Sequence, residues 1–325
     1  MQKMSDKMPL VSFIIPVYNG EKYLGKCLDL IVGQEFKDWE VILINDGSID
    51  DSGVVCDSYA KNDSRIKAFH QSNQGVSATR NRGLDLALGE WIWFVDADDE
   101  IVPHSLKLLA DVIRQTDCDT ILSGLVNIYL DGRVISDKVT KDFNSAKEEI
   151  LEKVFAFQNG MVLFSKKLIE ENNLRFSKNI KIGEDLEFQY KYLLHCKHPI
   201  SLGRCLYAYK RRQNSAMHRP DMLIDCMNNS INIVQNILDH LNKVPGSNGK
   251  WLSDRLRLML KAGLQAASQL QAKDRLVFKK NFKKCIKRIE TLNLDDVVDK
   301  TLRLAFLCPD LYFFIMCKFL QLKNR

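Results

Sequence analysis

No Cys-x-x-Cys pair occurs among the nine cysteines, and their odd number excludes a fully paired disulfide framework. Cys27, Cys56, Cys118, Cys196 and Cys226 lie in or beside apolar stretches, where a thiol behaves as a small hydrophobe, so no metal or redox role is expected of them. Met1 to Pro9 is polar and holds no apolar signal core. The final stretch, Leu302 to Leu322, is interrupted by Arg303, Pro309-Asp310 and Lys318. Its longest apolar run, Leu311 to Cys317, is far short of the ~20 residues that a bilayer span needs. Internal repeats and low-complexity segments are absent. No Gly-x-Gly-x-x-Gly follows the apolar run Val11 to Val17, which argues against a dinucleotide-dependent dehydrogenase. Together these absences point to a reducing, cytoplasmic setting.

What is present is a chain of 325 residues, 46% hydrophobic, long enough to bury a substantial core. Val11 to Val17, Val41 to Asn45, Ile66 to Phe69 and Trp91 to Val95 read as strands, with helices starting near Glu21, Asp51, Val76 and Pro103. That alternation implies right-handed crossovers and an α/β fold with a doubly wound, mostly parallel sheet, whose ligands sit at the carboxyl ends of the strands. Asp131-Gly132 reads as a hairpin turn that changes the order. A strand near Met161 to Phe164, a helix near Asp185 to His195 and a strand at Cys205 to Tyr209 follow. From Asp221 the pattern is helical, with a linker or tight loop at Pro245 to Gly249. The expected division is residues 1–220 as a catalytic domain and 221–325 as a helical, basic region.

Charge is distributed unevenly. The 17 Lys and Arg against 7 Asp and Glu after residue 249 make +10, which leaves −4 for residues 1–249 of a net +6. Basicity confined to the tail argues against a surface that coats nucleic acid, and an anionic membrane face is the expected partner.

Four acids in five positions, Asp96, Asp98, Asp99 and Glu100, follow directly on Trp91 to Val95. Clustered carboxylates at the end of a buried strand repel one another unless a cation is shared, and hard oxygen ligands suit Mg²⁺ or Mn²⁺. Three other segments fall beside strand ends: Pro16-Val17-Tyr18-Asn19, Asn45-Asp46-Gly47-Ser48, and Gln74 to Asn81 opening a helix. Tyr18 offers an aromatic face for a base, Asp46 a carboxylate for an imide N–H, and Arg80 a guanidinium for phosphate. The set describes a cleft for a nucleoside diphosphate.

The strings Val11 to Asn19, Ile44 to Ser48, Ala78 to Gly83, Gly89 to Asp99 and Gly183-Glu184-Asp185 resemble, in order and spacing, the family 2 glycosyltransferases of the GT-A fold, over roughly residues 9–215. The resemblance implies inverting transfer of a sugar from a nucleotide-sugar, most often a UDP-sugar, to an acceptor hydroxyl. It implies a divalent metal on Asp98, with Asp96 and Ala97 of the Asp-x-Asp string at the nucleotide. Pro16, Val17, Tyr18, Asn19, Asp46 and Arg80 would bind the nucleotide too, with Asp46 reading uracil. Asp185 would be the general base. Arg212 would be a mobile arginine near the diphosphate, and His218 a further metal ligand. The segment from Gly160 and Met161 to Glu184 would shape the acceptor site.

The residues also carry plainer readings. Asp185 or Glu184 caps a helix, Asn45-Asp46-Gly47 forms a turn, Arg80 is a solvated helix residue, His218 is an ordinary imidazole, and Glu100 is a surface acid. A haloacid-dehalogenase-type phosphatase shares the paired aspartates of Asp96-Ala97-Asp98 but wants Thr or Val where Glu100 stands. A catalytically inactive fold serving as a membrane scaffold is the non-enzyme alternative. In the tail, Lys273 to Arg288 interleaves basic residues with Leu276, Val277, Phe278, Phe282, Cys285 and Ile286, as suits a helix lying in a membrane interface. A stripe packed inward with its lysines solvated fits the same spacing. Peripheral attachment at the inner membrane face would place the active site beside a saccharide or lipid-linked saccharide acceptor, as in polysaccharide or glycolipid assembly.

Overall fold

A computed structural model describes residues 8–129, 132–135, 159–211, 222–244, 250–292, 294–313 and 315–316. The chain divides into two compact units. One comprises Met1–Lys178 with Cys196–Gln213, and the other Asn179–His195 with Asn214–Arg325.

The first unit is built on one sheet. Its strands are β1 (Val11–Val17), β2 (Trp39–Asp46), β3 (Ile66–Gln71), β4 (Trp91–Phe94), β5 (Glu100–Ile101), β6 (Thr120–Ile128), β7 (Val134–Ile135), β8 (Val162–Ser165) and β9 (Pro199–Lys210). Helices α1 (Glu21–Val32), α2 (Ser52–Asn62), α3 (Val76–Leu86), α4 (Ser105–Gln115) and α5 (Lys166–Glu171) connect them. The strand order is β3-β2-β1-β4-β8-β6-β9-β5, with β7 on β6. β3, β2, β1 and β4 run parallel; β1, β4 and most of β2 are near-continuously apolar, as strands covered on both faces require, whereas β3 at the sheet edge carries Lys67, His70 and Gln71 and is mostly half-buried. β8 is antiparallel to both β4 and β6, so the parallel character stops at β4 and resumes only between β6 and β9. Asp131 of the expected hairpin turn lies outside the described residues; on either side of it β6 and β7 pair antiparallel, with Ile128 opposite Val134, and Gly132 N–H donates to the Tyr129 carbonyl at 2.9 Å.

Pro16 shows how the strand ends create room. The Ile14 carbonyl accepts from Val95 N–H at 3.1 Å on the β4 side. Two residues on, the Pro16 nitrogen faces that side too, where β4 has already ended, so its missing donor is not required. Beneath, Phe13 stacks on Trp93 with centroids 5.4 Å apart, and Phe94 meets Phe164 and Phe176 edge-on.

The second unit is helical: α6 (Glu184–His195), α7 (Met222–Leu241), α8 (Lys250–Ser268), α9 (Ala272–Thr291) and α10 (Lys300–Leu307). Met227, Ile231, Val234, Leu238 and Leu241 recur at helical spacing on α7 and are buried, as are Leu252, Leu256 and Leu260 on α8. Tyr190 of α6 packs edge-on against Trp251 of α8. Residues 179–195 thus group with the C-terminal helices and not with the sheet. Among the described residues no helix is long and apolar enough to cross a membrane. The linker expected at Pro245 to Gly249 lies outside the described residues.

Candidate active site

β1, β2 and β4 are parallel neighbours, so their carboxyl ends share one edge of the sheet, and the loops there are bonded to one another. Asn19, in the left-handed region at φ 51°, receives Ile49 N–H on its side-chain oxygen at 2.9 Å and donates its own N–H to Ser48 Oγ at 3.0 Å. Gly20 N–H reaches Ser52 Oγ at 2.8 Å, and Ser52 Oγ donates to Asp50 at 2.5 Å. Tyr18 stands out from this double loop, about half exposed.

Asp46 ends β2 almost fully buried. Its Oδ1 accepts from Gln71 Nε2 at 2.7 Å and Gln74 N–H at 2.9 Å, and its Oδ2 from Gly75 N–H at 2.9 Å. The carboxylate thus gathers the amides that open α3, and of its roughly four acceptor positions one is left for a ligand donor. Gly47 turns the chain at φ +72°, where a Cβ would lie 2.7 Å from the Asn73 nitrogen, so a side chain is excluded. The turn reading and the binding reading of Asn45-Asp46-Gly47 describe one structure.

One turn into α3, Arg80 is buried, donates to Asp96 at 3.0 Å and stacks its guanidinium over Phe176 at 5.4 Å. It is not a solvated helix residue, and in this packing it reaches the site through Asp96. Asn81, which the sequence motif contains without a task, holds Phe176 in place. Its amide donates to the Phe176 carbonyl at 2.9 Å and accepts from Phe176 N–H at 2.8 Å.

Three members of the acidic cluster have separate protein partners. Asp96 faces Arg80. Asp99 is buried, accepting from Tyr207 Oη at 2.6 Å and from Lys210 N–H at 3.0 Å. Glu100 is no surface acid, since Lys26 at 2.6 Å and Lys210 both pair with it. Burial, then the charges of Asp96 and Asp98, push the Asp99 carboxyl well above its usual range. Burial also opposes ionisation of Glu100, but Lys210 and Lys26 outweigh it and hold its carboxyl low. Asp98 is half-buried beside Ala97, which is itself buried. Tyr207, which sequence reasoning missed, also accepts from Asp96 N–H at 3.2 Å, so one buried hydroxyl fixes both ends of the Asp96 to Asp99 turn.

Three or more His, Cys, Asp or Glu side chains disposed to hold a metal do not occur among the described residues. The donor set still fits Mg²⁺ or Mn²⁺ in the mode in which one or two carboxylates and substrate phosphates complete the shell. Asp98 and Asp96 are the candidate carboxylates for it, since Asp99 is buried against Tyr207 and Lys210 and Glu100 is paired with two lysines. Cys27, beneath the cluster, is buried and its thiol is pushed up by burial and the acids, so it stays protonated.

The remaining expectations fall in several places. Gly160 is pressed against the Tyr207 ring, where a Cβ would lie 2.2 Å from ring carbons, and its carbonyl accepts from Trp93 Nε1 at 2.9 Å. Met161 is fully buried. In this packing both support the sheet, and neither offers a side chain to an acceptor. Asp185 and Glu184 belong to the second unit, at the start of α6, where Glu187 N–H bonds the Gly183 carbonyl. Asp185, the second residue of α6, is half-buried and its Oδ1 accepts from Leu186 N–H at 2.8 Å, an amide of the first turn; Glu184 is buried. Arg212 and His218 lie outside the described residues.

Comparison with known proteins gives a consistent result. Residues 12–172 match the family described as Glycosyl transferase family 2. The uncharacterized glycosyltransferase EpsJ of Bacillus subtilis is 32% identical over 221 residues, which is 66% of this chain and 64% of that protein. The glycosyltransferase GlyG of Streptococcus pneumoniae serotype 4 is 31% identical over 221 residues, 64% of this chain and 73% of that one. The chain therefore spans about two thirds of the length of these relatives. Among solved structures, Staphylococcus aureus TarS 1-349 in complex with UDP-GlcNAc superposes with a TM-score of 0.71 at 21% identity, covering 94% of this chain and 89% of that one. The shared fold is the GT-A fold.

Proposed function

The chain belongs to glycosyl transferase family 2, and on that premise we propose that it moves a sugar, with inversion, from a UDP-sugar to a hydroxyl of a saccharide or lipid-linked saccharide acceptor. The observation that supports this reading is the convergence of Tyr18, Asp46, the opening of α3, Asp96 and Asp98 on one sheet edge. In this scheme Tyr18 packs beside the base and the last acceptor position of Asp46 takes the imide N–H of uracil. Pro16, Val17, Asn19 and Ala97 shape the nucleotide pocket through backbone and packing. Arg80 acts as a positioning residue: it fixes Asp96 and adds positive charge beneath the diphosphate.

Asp98, with Asp96, would hold Mg²⁺ or Mn²⁺, which supplies charge neutralisation for the diphosphate leaving group. Asp185 takes the proton of the acceptor hydroxyl, and one base suffices for a single displacement with inversion. Glu184 and the segment from Gly160 contribute to the acceptor side through the backbone they hold in place. Arg212 and His218 remain candidates for the diphosphate and the metal.

Cell-surface polysaccharide or glycolipid assembly, with the protein peripheral at the inner, cytoplasmic face of the membrane, fits a basic region attached to an acidic catalytic part. A panel of UDP-, GDP- and CDP-sugars with Mg²⁺ or Mn²⁺, read by thermal stabilisation, tests the donor assignment, because a ligand of the folded state raises apparent stability with its affinity. UDP-sugars are expected to stabilise the protein most. Stabilisation by none of the nucleotides contradicts the reading.

A further inference from the structure

The apolar stripe of α9, which the sequence allowed to face a membrane, faces the protein interior: Phe278, Phe282, Cys285, Ile286 and Ile289 are all buried in the helical unit. The opposite face is therefore outward. It presents Lys273, Lys280, Lys283, Lys284 and Lys287, all exposed, over about 21 Å at 1.5 Å per residue. Cations on the flanks are neutralised, Lys279 by Asp310 and Arg288 by Asp239. None of the five outward lysines forms an ion pair among the described residues, although Lys283 also acts at longer range on Asp310, which Lys279 pairs.

Between Lys273 and Lys280 the same face carries Leu276 and Val277, which are 70% and 62% exposed. A second set of exposed aliphatics lies nearby. Leu304, Leu307, Leu311 and Ile315 recur three or four residues apart along α10 and the helical turns after it. Those turns are held against the same end of α9 by the Lys279–Asp310 pair and by Arg275 and Lys279 over the Phe313 ring. Unpaired lysines beside exposed leucine, valine and isoleucine form a surface with two kinds of affinity. A polyanion in water would use only the charge, and among the described residues of this face no aromatic is exposed as a platform for nucleobases. An anionic bilayer uses both, with lysines at the headgroups and short aliphatics at the acyl boundary.

We propose that the outward face of α9, with the adjoining aliphatics of the 304–315 segment, is the surface by which this protein docks on anionic lipid. This rests on, and specifies, the membrane attachment proposed above, and replaces insertion of an amphipathic stripe by electrostatic adhesion with shallow aliphatic contacts. The test is flotation of the full-length protein with phosphatidylcholine vesicles, with and without phosphatidylglycerol, across a salt series. Flotation is expected only with phosphatidylglycerol and is expected to weaken with salt. Replacing Lys280, Lys283, Lys284 and Lys287 by Gln is expected to lower partitioning about fivefold per lysine, the equivalent of about 1 kcal/mol each. Leu276→Ser with Val277→Ser is expected to weaken what flotation persists at high salt. Both variants change exposed positions, and an unchanged helical circular dichroism signal and unfolding transition report that they fold.

Equal flotation on neutral and anionic vesicles overturns the proposal, as does wild-type flotation by the lysine variant. Retention by a short oligonucleotide as strong as that by anionic vesicles also overturns it. So does a change of oligomeric state without lipid, in place of lost flotation, on Leu311→Ser with Ile315→Ser, because the aliphatics would then serve self-association. Flotation needs no sugar transfer, so its failure leaves the nucleotide site standing, and failure of the nucleotide panel leaves this surface standing.

Discussion

Asp96, Asp99 and Glu100 each meet a different side chain in the sheet unit, whereas Lys280, Lys283, Lys284 and Lys287 of the helical unit form no ion pair among the described residues. Both groups are dense clusters of one sign. At a buried strand end the dielectric is low and each carboxylate must be satisfied separately, so the cluster becomes a fixed arrangement. On a solvated helix face the charges are screened, and nothing in the fold consumes them. Charge built into the interior defines geometry, while charge left outside is available to a partner.

The contrast can be broken most severely at the reacting groups. Asp185→Asn is expected to lower the transfer rate by about 10²- to 10⁴-fold while leaving stabilisation by UDP-sugar intact. Steady-state kinetics beside a thermal titration check this, and a matching loss of donor binding would assign Asp185 to the nucleotide. Next in size, Gly160→Ala forces a methyl into the Tyr207 ring and is expected to cost about 1–3 kcal/mol of stability, measured by denaturant unfolding. If stability is unchanged and only acceptor KM rises, Gly160 belongs to the acceptor site and not to the packing.

A smaller effect is expected where the interior network would meet the base. Gln71→Ala removes one of the three donors holding Asp46 and is expected to weaken UDP binding by roughly fivefold, for about 1 kcal/mol. In the helical unit the corresponding test uses pH. His195 and His240 share a bond of 2.7 Å between α6 and α7, and burial, then the charges of His195, Lys191 and Lys243, lower His240 from the ordinary 6.5 to about 4. The unfolded chain then binds more protons between those values, so stability is present above pH 6.5 and lost as pH falls toward 4. His240→Gln is expected to flatten that slope. An unchanged slope would move the acid sensitivity elsewhere.

The sequence made some of this legible and hid the rest for physical reasons. β1, β2 and β4 were readable because a doubly covered parallel strand is largely apolar, and the site segments because they follow such strands directly; β3, an edge strand with Lys67 and His70, was readable only from its short run Ile66 to Phe69. β5 has two residues, too short for any period. The partners of Asp99 could not be read, because Tyr207 lies 108 residues further along and enters only through the pairing of β5 with β9. The capping role of Asp46 needed the Gln74-Gly75 turn to fold back on it. In α9 the period of Phe278, Phe282 and Ile286 is the same whether that face meets lipid or protein, so only burial could decide it. The placement of α6 with the C-terminal helices likewise depends on packing that its own sequence does not state.

The central claim is that the loops after β1, β2 and β4 hold a uridine diphosphate group together with a divalent ion. Calorimetric titration of UDP into the wild type, Asp46→Asn and Asp98→Asn, each with Mn²⁺ and with EDTA, tests it most directly. The account predicts metal-dependent binding by the wild type, weakened binding with metal dependence retained in Asp46→Asn, and metal dependence lost in Asp98→Asn. Binding that is the same in all three proteins and indifferent to EDTA would contradict it.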